Sequence, residues 1–177
     1  MIHSYPKIYS VGHAAVAELT QHPVLVEEKI DDSQFSMGVL NGELMIRSKG
    51  AAMYVEAPEK MFNHAAATAK RLAPDLHPDW LYRCEYLAKP KHNALAYDRI
   101  PAQHLIVFDI SPGLESYLPP AEKRAEAARL GLECVPVLHD GMIDDVAHFR
   151  TFLDATSVLG GQKIEGVVIK PRDYALY

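Results

Sequence analysis

The sequence predicts an α+β fold with mainly antiparallel sheets and flanking helices, and three observations favour it. Residues 35–40 and 43–48 are two short runs joined by Asn41-Gly42, and Asn-Gly between such runs is the strongest local signal for a β-hairpin. Other runs alternate between apolar and polar residues or are continuously apolar, as strands do. Helical patterns stand between them without the regular strand–helix rhythm of a parallel sheet.

Further strands are predicted on both sides of the hairpin. Residues 24–29 begin with an apolar triplet and end with three charged residues, so this strand leaves a core and carries its last side chains to a site. The apolar run in residues 103–110 predicts a buried strand. The remaining strands are residues 80–87, 134–138 and 166–170, and the polar residues 88–101 are interpreted as a loop.

The helices are predicted from apolar spacing and from their end signals. Residues 57–72 carry apolar side chains at helical spacing, with Pro58 in the first turn, and Pro74 and Pro78 end this helix. Residues 119–130 form a second helix that stops at Gly131. Residues 144–153 form a third.

Bulk composition bounds the class of protein. The chain has 177 residues, of which 49% are hydrophobic and 23% charged, which predicts one globular domain with a substantial core. The formal net charge is −5 without a basic tail, so a nucleic-acid partner would have to meet a local basic patch.

The two cysteines, Cys84 and Cys134, are far apart and lack metal-ligand spacing, which argues against a structural zinc site. The N-terminus lacks the features of a signal peptide, and no apolar run approaches the roughly 20 residues that span a bilayer. We therefore expect a cytoplasmic protein with reduced thiols and no membrane partner.

Lys29 follows the first strand and is flanked by Glu28, Asp31 and Asp32. One interpretation is a solvated lysine in a charged turn, which is the commoner fate of such residues. The other is a nucleophilic amine at a strand end, because a lysine can act as a nucleophile where its surroundings favour the neutral amine.

Three later segments also carry candidate functional residues. Glu85 ends an alternating strand, Phe108-Asp109 lies in the buried one, and residues 165–170 (EGVVIK) open a strand with Glu-Gly and end it with lysine. Regular alternation would place Glu165 and Lys170 on opposite faces of that strand.

Together these segments resemble the ordered motifs of the covalent nucleotidyltransferases, namely DNA ligases, RNA ligases and mRNA capping enzymes. Residues 29–32 (KIDD), 47–49 (RSK), Glu85, Phe108 and 165–170 fall in the order of that family. Residues 33–36 (SQFS) and 89–93 (KPKHN) are most similar to nick-sealing RNA ligases of phages and bacteria.

The resemblance implies the ATP-grasp-like nucleotidyltransferase fold and a role for each motif residue. Lys29 would attack the α-phosphate of ATP to form lysyl-AMP, assisted by Lys170 and by Mg²⁺ or Mn²⁺ held by Glu165. The AMP would then pass to the 5′-phosphate of an RNA end or nicked duplex. The nucleotide-binding residues implied are Glu28, Asp31, Gln34, Arg47, Glu85, Phe108 and Lys170. RNA phosphates could be contacted by Lys89, Lys91 and Arg99.

Each of these roles has a plainer structural alternative. Phe108 could be a core residue, Glu85 a surface acid at a strand end, and Arg47 a charge on an edge strand. The basic residues of segment 88–101 could belong to a solvated loop.

Two positions depart from the family pattern. Asp32 stands where the family has a glycine, which tolerates a positive φ better than aspartate does. The last motif, Lys-x-Lys, has no counterpart before Tyr177, so residues 1–177 are expected to be a nucleotidyltransferase domain shortened before that motif and any C-terminal domain. The alternatives are a degenerate, non-catalytic nucleotide- or RNA-binding module and a DNA ligase-like enzyme of the same fold.

Overall fold

The computed structural model describes residues 1–6, 19–92, 95–113 and 116–172. Two larger sheets and one small hairpin make up its β-structure. The strands, in chain order, are β1 Val24–Lys29, β2 Ser33–Leu40, β3 Glu43–Ser48, β4 Ala52–Met53, β5 Leu81–Tyr86, β6 Lys91–His92, β7 Leu95–Ala96, β8 Leu105–Ser111, β9 Glu133–Cys134, β10 Val137–Gly141 and β11 Gly166–Pro171.

The strand order is β4-β3-β2-β5-β8-β9 in the six-stranded sheet and β10-β1-β11 in the three-stranded sheet. Every pairing is antiparallel except that of β8 with β9. The α-helices are α1 Asn63–Leu72, α2 Pro120–Arg129 and α3 Val146–Thr151. The mixed, mainly antiparallel α+β architecture predicted from the sequence is confirmed.

The main core lies between one face of the six-stranded sheet and helices α1 and α2. Alternate residues of β2 and β5, such as Phe35, Met37 and Cys84, point into it because side chains alternate across a strand. Ala65 and Ala69 of α1 meet this face. The opposite face of the same sheet is therefore left for other contacts.

The three-stranded sheet buries Val24 and Val26 against Ile143 and Phe149. Because β1 alternates, Leu25, Glu27 and Lys29 lie on its other face. That face approaches the six-stranded sheet, which it meets through the buried ion pairs described below.

Several predicted elements are confirmed. The hairpin turns at Asn41-Gly42, whose φ angles of 52° and 80° are the left-handed values that this turn requires, and Leu40 pairs with Glu43. Strands over 24–29, 80–87 and 166–170 are present within a residue or two. Gly131, with φ 73°, follows the end of α2.

Three boundaries were wrong, each for a local reason. Helix α1 begins at Asn63 rather than at residue 57, because Tyr54 and Ala57 pair in a tight bridge before it. The predicted loop 88–101 contains the β6–β7 hairpin. The strand over 134–138 is two strands, because the chain passes at Pro136 from the six-stranded to the three-stranded sheet.

A further difference concerns the start of β8. Residues 102–104 form a tight turn in which Gln103 and His104 have left-handed φ angles of 56° and 68°, so the strand begins at Leu105. Within the described ranges, no helix is long and apolar enough to cross a membrane.

Candidate active site

Lys29 ends β1, and its half-exposed side chain lies beside Glu165. Its Nζ is 3.5 Å from Glu165 Oε1. Lys29 pairs with Gly166, and a Cβ atom added to that glycine would lie 3.9 Å from Lys29 Cδ, so the glycine leaves room beside the lysine stem. Glu165 precedes β11, so strand alternation does not separate it from Lys29.

Carboxyl groups surround this amine. Burial raises the pKa of Glu85 well above its usual range; Asp32 raises it further, and the Lys29 charge opposes these effects. Within the described structure, Glu85 Oε2 is shielded from solvent and has no hydrogen-bond partner. Burial also raises the pKa of Asp32 to about 8, although the backbone N–H of Ser33 donates to its Oδ1 at 2.6 Å. Acidic groups crowded in this way favour a cation.

Asp32 does not adopt the conformation expected from the glycine of the family motif. The described non-glycine residues with positive φ are Asn41, Asp79, Gln103 and His104, so Asp32 has a negative φ. The replacement therefore introduces no left-handed strain, and the concern raised by the sequence does not apply. Its consequence is electrostatic, since it adds a carboxyl group close to Glu85.

Asp31 and Gln34 lie close to the same end of the cleft. The Asp31 backbone N–H donates to the Tyr97 hydroxyl at 3.0 Å, which fixes the turn after β1. Gln34 lies directly opposite Glu85 in the β2–β5 register. Gln34 and Glu85 therefore form one cross-strand pair on the face opposite the main core.

Arg47 lies one residue pair further along this face. Ser36 pairs with Arg47 of β3 on one side and with Arg83 of β5 on the other. Arg83 donates to the Ser36 hydroxyl at 2.9 Å, and Arg47 donates to the Ile2 carbonyl oxygen at 3.4 Å.

Phe108 is half-buried and packs against the apolar cluster that contains Ile30, Tyr97 and Leu159. The ring of Tyr5 meets it edge-on, with centroids 5.0 Å apart. Both the stacking role and the packing role predicted for Phe108 are compatible with this position.

Glu28 is not brought to Lys29. It alternates to the opposite side of β1, is buried, and accepts a hydrogen bond from the Val158 backbone N–H at 3.1 Å. Burial raises the pKa of Glu28, and hydrogen bonds from Ser157 and Val158 partly offset this effect. Its contact with adenine stays a prediction.

Lys170 lies on the Lys29 side of the sheet but four residues along, where it pairs with Leu25. Its Nζ is 2.7 Å from Glu27 Oε1 and 3.1 Å from both Asp109 oxygens. Burial acts to lower its pKa, but the carboxylates of Asp109 and Glu27 outweigh burial and raise the pKa. Lys170 is therefore a charged member of a buried cluster, and its approach to a phosphate stays a prediction.

That cluster also contains Lys123 of α2. Lys123 Nζ is 2.6 Å from Glu27 Oε2 and donates to the Phe108 carbonyl at 2.9 Å. We call Glu27, Asp109, Lys123 and Lys170 the buried quartet. It joins β1 and β11 to β8 and α2, and the Tyr5 hydroxyl also donates to Asp109.

The structure describes two of the three basic side chains predicted to contact RNA, those of Lys89 and Arg99. Arg99 donates to both oxygens of Glu133, at 2.9 and 2.8 Å, so its guanidinium is already paired. Lys89 is exposed, and the Lys91 side chain lies outside the described structure. RNA contact by these residues stays a prediction.

Residues 22–175 match the family model described as RNA ligase. The chain belongs to the RNA ligase family. No match is found among the curated proteins.

Solved RNA ligases have the same fold. A Naegleria gruberi RNA ligase mutant with ATP and Mn has a TM-score of 0.76 at 18% identity, over 97% of this chain and 53% of that one. The Naegleria gruberi RNA ligase with PPi has a TM-score of 0.70 at 19% identity, over 90% and 49%. An archaeal ATP-dependent RNA ligase has a TM-score of 0.67 at 22% identity, over 97% and 46%. This RNA ligase chain spans about half the length of these structures.

The candidate site offers carboxylate oxygens of the kind that bind divalent cations. Glu165 and the unpartnered Glu85 oxygen offer the hard oxygen donors that Mg²⁺ and Mn²⁺ prefer. The described residues contain no group of three His, Cys, Asp or Glu side chains arranged to hold a metal alone.

Sequence reasoning missed Arg83 and half of the buried quartet, Glu27 and Lys123. Lys123 was part of a recognisable pattern, since it precedes the buried Ala127 by four residues and so shares its helix face. Glu27 alternates with Leu25 and Lys29, but its neighbour Glu28 made the segment look like a solvated charge run. Arg83 lies two residues before Glu85, so the same alternation places both on one face.

Proposed function

We propose that this chain is the adenylyltransferase domain of an ATP-dependent RNA ligase, with Lys29 as the nucleophile. The observation that carries the proposal is the convergence of distant motifs on one amine. Glu165 Oε1 lies 3.5 Å from Lys29 Nζ. The charges of Lys29 and Asp32 both act on the pKa of Glu85, which places these residues near one another.

In the proposed reaction, the neutral Lys29 amine attacks the α-phosphorus of ATP. A nitrogen–phosphorus bond forms as the bond to the bridging oxygen breaks, and pyrophosphate leaves. The amine proton passes to water. A bound Mg²⁺ or Mn²⁺, with Glu165 among its ligands, would offset the charge on the phosphates.

The second half of the proposal is transfer of AMP from Lys29 to an RNA 5′-phosphate. A 3′-hydroxyl then attacks that activated phosphate and releases AMP, which seals the ends. Gln34 and residues 89–93 favour RNA over DNA as the acceptor through their likeness to RNA ligase motifs. The sequence-based prediction of a cytoplasmic location belongs with this proposal.

The direct test is the intact mass of the denatured protein after incubation with ATP and Mg²⁺. We expect one covalent AMP on the natural chain and none on Lys29→Ala. Lys163→Ala is the matched control, because Lys163 is also an exposed lysine paired with a carboxylate, Asp154, at 3.0 Å. Labelling of Lys29→Ala at the natural level would reject Lys29 as the nucleophile.

A non-catalytic binding module is the second candidate, and one observation favours it. Lys170 is engaged by two carboxylates rather than open to a phosphate. A chain that binds ATP at equilibrium but never retains AMP after denaturation would support this candidate. Transfer of AMP to 5′-phosphorylated DNA as readily as to RNA would instead support a DNA ligase-like acceptor.

A further inference from the structure

Two arginines flank one hydroxyl group on the cleft-facing side of the six-stranded sheet. Ser36 of β2 lies between Arg47 of β3 and Arg83 of β5. Adjacent strands are about 4.8 Å apart, and β2 lies between β3 and β5, so the backbones of Arg47 and Arg83 are about 10 Å apart. Their long side chains can therefore reach one ligand. Gln34 and Glu85 form the adjacent cross-strand pair, toward Lys29.

Neither arginine is neutralised by a partner. Arg83 is only 2% exposed, and the Nε atoms of Arg83 and Arg47 are buried without a hydrogen-bond acceptor. Within the described structure, neither forms a salt bridge with a carboxylate. Burial of an unpaired charge is costly, and natural proteins normally pair such groups.

The nearest acidic group is already committed. Asp109 lies opposite Arg83 in the β5–β8 register, but both of its oxygens accept from Lys170. The buried quartet holds two carboxylates and two ammonium groups, so it is balanced by itself. The positive charge of Arg47 and Arg83 is left for a ligand.

The N-terminal residues cover this arginine pair. The Ile2 carbonyl is the acceptor for Arg47, at the long distance of 3.4 Å. Burial lowers the pKa of His3, and the nearby charges of Arg83 and Arg47 lower it further, so His3 adds no charge of its own at neutral pH. A neutral carbonyl thus occupies the place of a stronger, anionic acceptor.

We propose that Arg83 and Ser36 extend the nucleotide-binding position that the family resemblance implies for Arg47 into a phosphate-binding subsite, one cross-strand pair away from the Lys29 end of the cleft. Guanidinium groups bind phosphate through paired, charge-assisted hydrogen bonds, and the serine hydroxyl can donate a further one. The ligand is a phosphate of the substrate, either the 5′-phosphate of an RNA end or a phosphate of ATP. This inference rests on the proposed function for the identity of the substrate, but the binding itself does not require Lys29 chemistry.

The test measures equilibrium binding by the full chain carrying Lys29→Ala, so that no covalent step contributes. The probes are ATP and an RNA oligonucleotide with a 5′-phosphate, compared with its 5′-hydroxyl twin. Arg83→Met is the test variant, and Arg172→Met, which removes an exposed arginine paired with Asp140, is the matched control. Because hydrogen bonds to charged groups are among the stronger ones, we expect Arg83→Met to weaken phosphate-dependent binding by about 10- to 150-fold.

Thermal unfolding of the ligand-free protein separates binding from folding. Arg83→Met removes an unpaired buried charge, so its Tm should equal or exceed that of the parent. If this variant does not fold, Arg47→Met, at a less buried position, carries the same expectation.

The pattern of loss identifies the source of the phosphate. A loss confined to the 5′-phosphate of RNA assigns the subsite to the RNA end, and a loss confined to ATP assigns it to the nucleotide. Unchanged binding of both probes by a folded Arg83→Met would overturn the proposal. Absence of AMP labelling with intact phosphate binding would reject the proposed function and leave this subsite standing.

Discussion

The buried quartet makes a strong prediction about stability, tested by Glu27→Gln. Glu27 contacts Lys123 at 2.6 Å and Lys170 at 2.7 Å, and its side chain is 2% exposed. The substitution keeps the shape of the side chain but removes one of two negative charges that balance two buried ammonium groups. Removal of one member of a buried ion pair costs about 3–5 kcal/mol, because the remaining charge is left unpaired.

The loss is a large part of the total, since domains are stabilised by about 5–15 kcal/mol. Urea denaturation at pH 7 measures it, with the single tryptophan, Trp80, as the fluorescent probe. With a urea slope of about 2 kcal/mol per molar, the midpoint should fall by about 1.5–2.5 M at unchanged slope.

Two further variants test the reasoning itself. Asp154→Asn breaks an ion pair of similar length, 3.0 Å, whose side chains are 80% and 68% exposed, and it should cost less than about 1 kcal/mol. Glu27→Leu combined with Lys123→Met leaves Lys170 with Asp109 as a balanced pair and should recover most of the loss. A Glu27→Gln cost no larger than that of Asp154→Asn would refute the argument.

Two other predictions concern the site. The pKa of Asp32 is raised from 3.8 to about 8 in the fold, so its ionisation destabilises the protein progressively as pH rises through that range. Asp32→Asn should therefore unfold at higher urea concentrations than the parent at pH 8, and by a smaller margin at pH 5; an equal margin at both would be inconsistent with a buried, titrating carboxyl. Phe108→Ala should weaken ATP binding by about 1–3 kcal/mol in calorimetric titration if the ring stacks on adenine. Unchanged affinity would show that Phe108 only packs in the core.

The sequence predicted the parts of the fold that depend on local chemistry. Asn41-Gly42 specified its turn because these residues accept positive φ. The motif order predicted that Glu165 and Lys29 belong to one site, which strand alternation alone did not require, and the two side chains are 3.5 Å apart. The change of sheet at Pro136 was not predictable, since a proline marks an interrupted ladder but does not say which strand is joined next.

The charged interior was harder to predict than the apolar core. A run such as Glu27-Glu28-Lys29 is normally solvated, and only the tertiary fold supplies Lys123 from a helix almost a hundred residues later in the chain. Arg83 was passed over for a similar reason: its burial without a carboxylate partner is a property of the packed sheet and cannot be seen in the sequence.

The strand that carries Lys29 depends on the late part of the chain. Both neighbours of β1, namely β10 and β11, come from residues 137–171. In contrast, β2 pairs with β3 and β3 pairs with β4, which follow one another in the chain. During synthesis from the N-terminus, the hairpin can form early, but β1 has no strand to pair with until most of the domain has been made. Lys29, the proposed nucleophile, therefore gains its neighbours Gly166 and Glu165 only after residues 165–171 have been made, and a shorter nascent chain cannot assemble the candidate site.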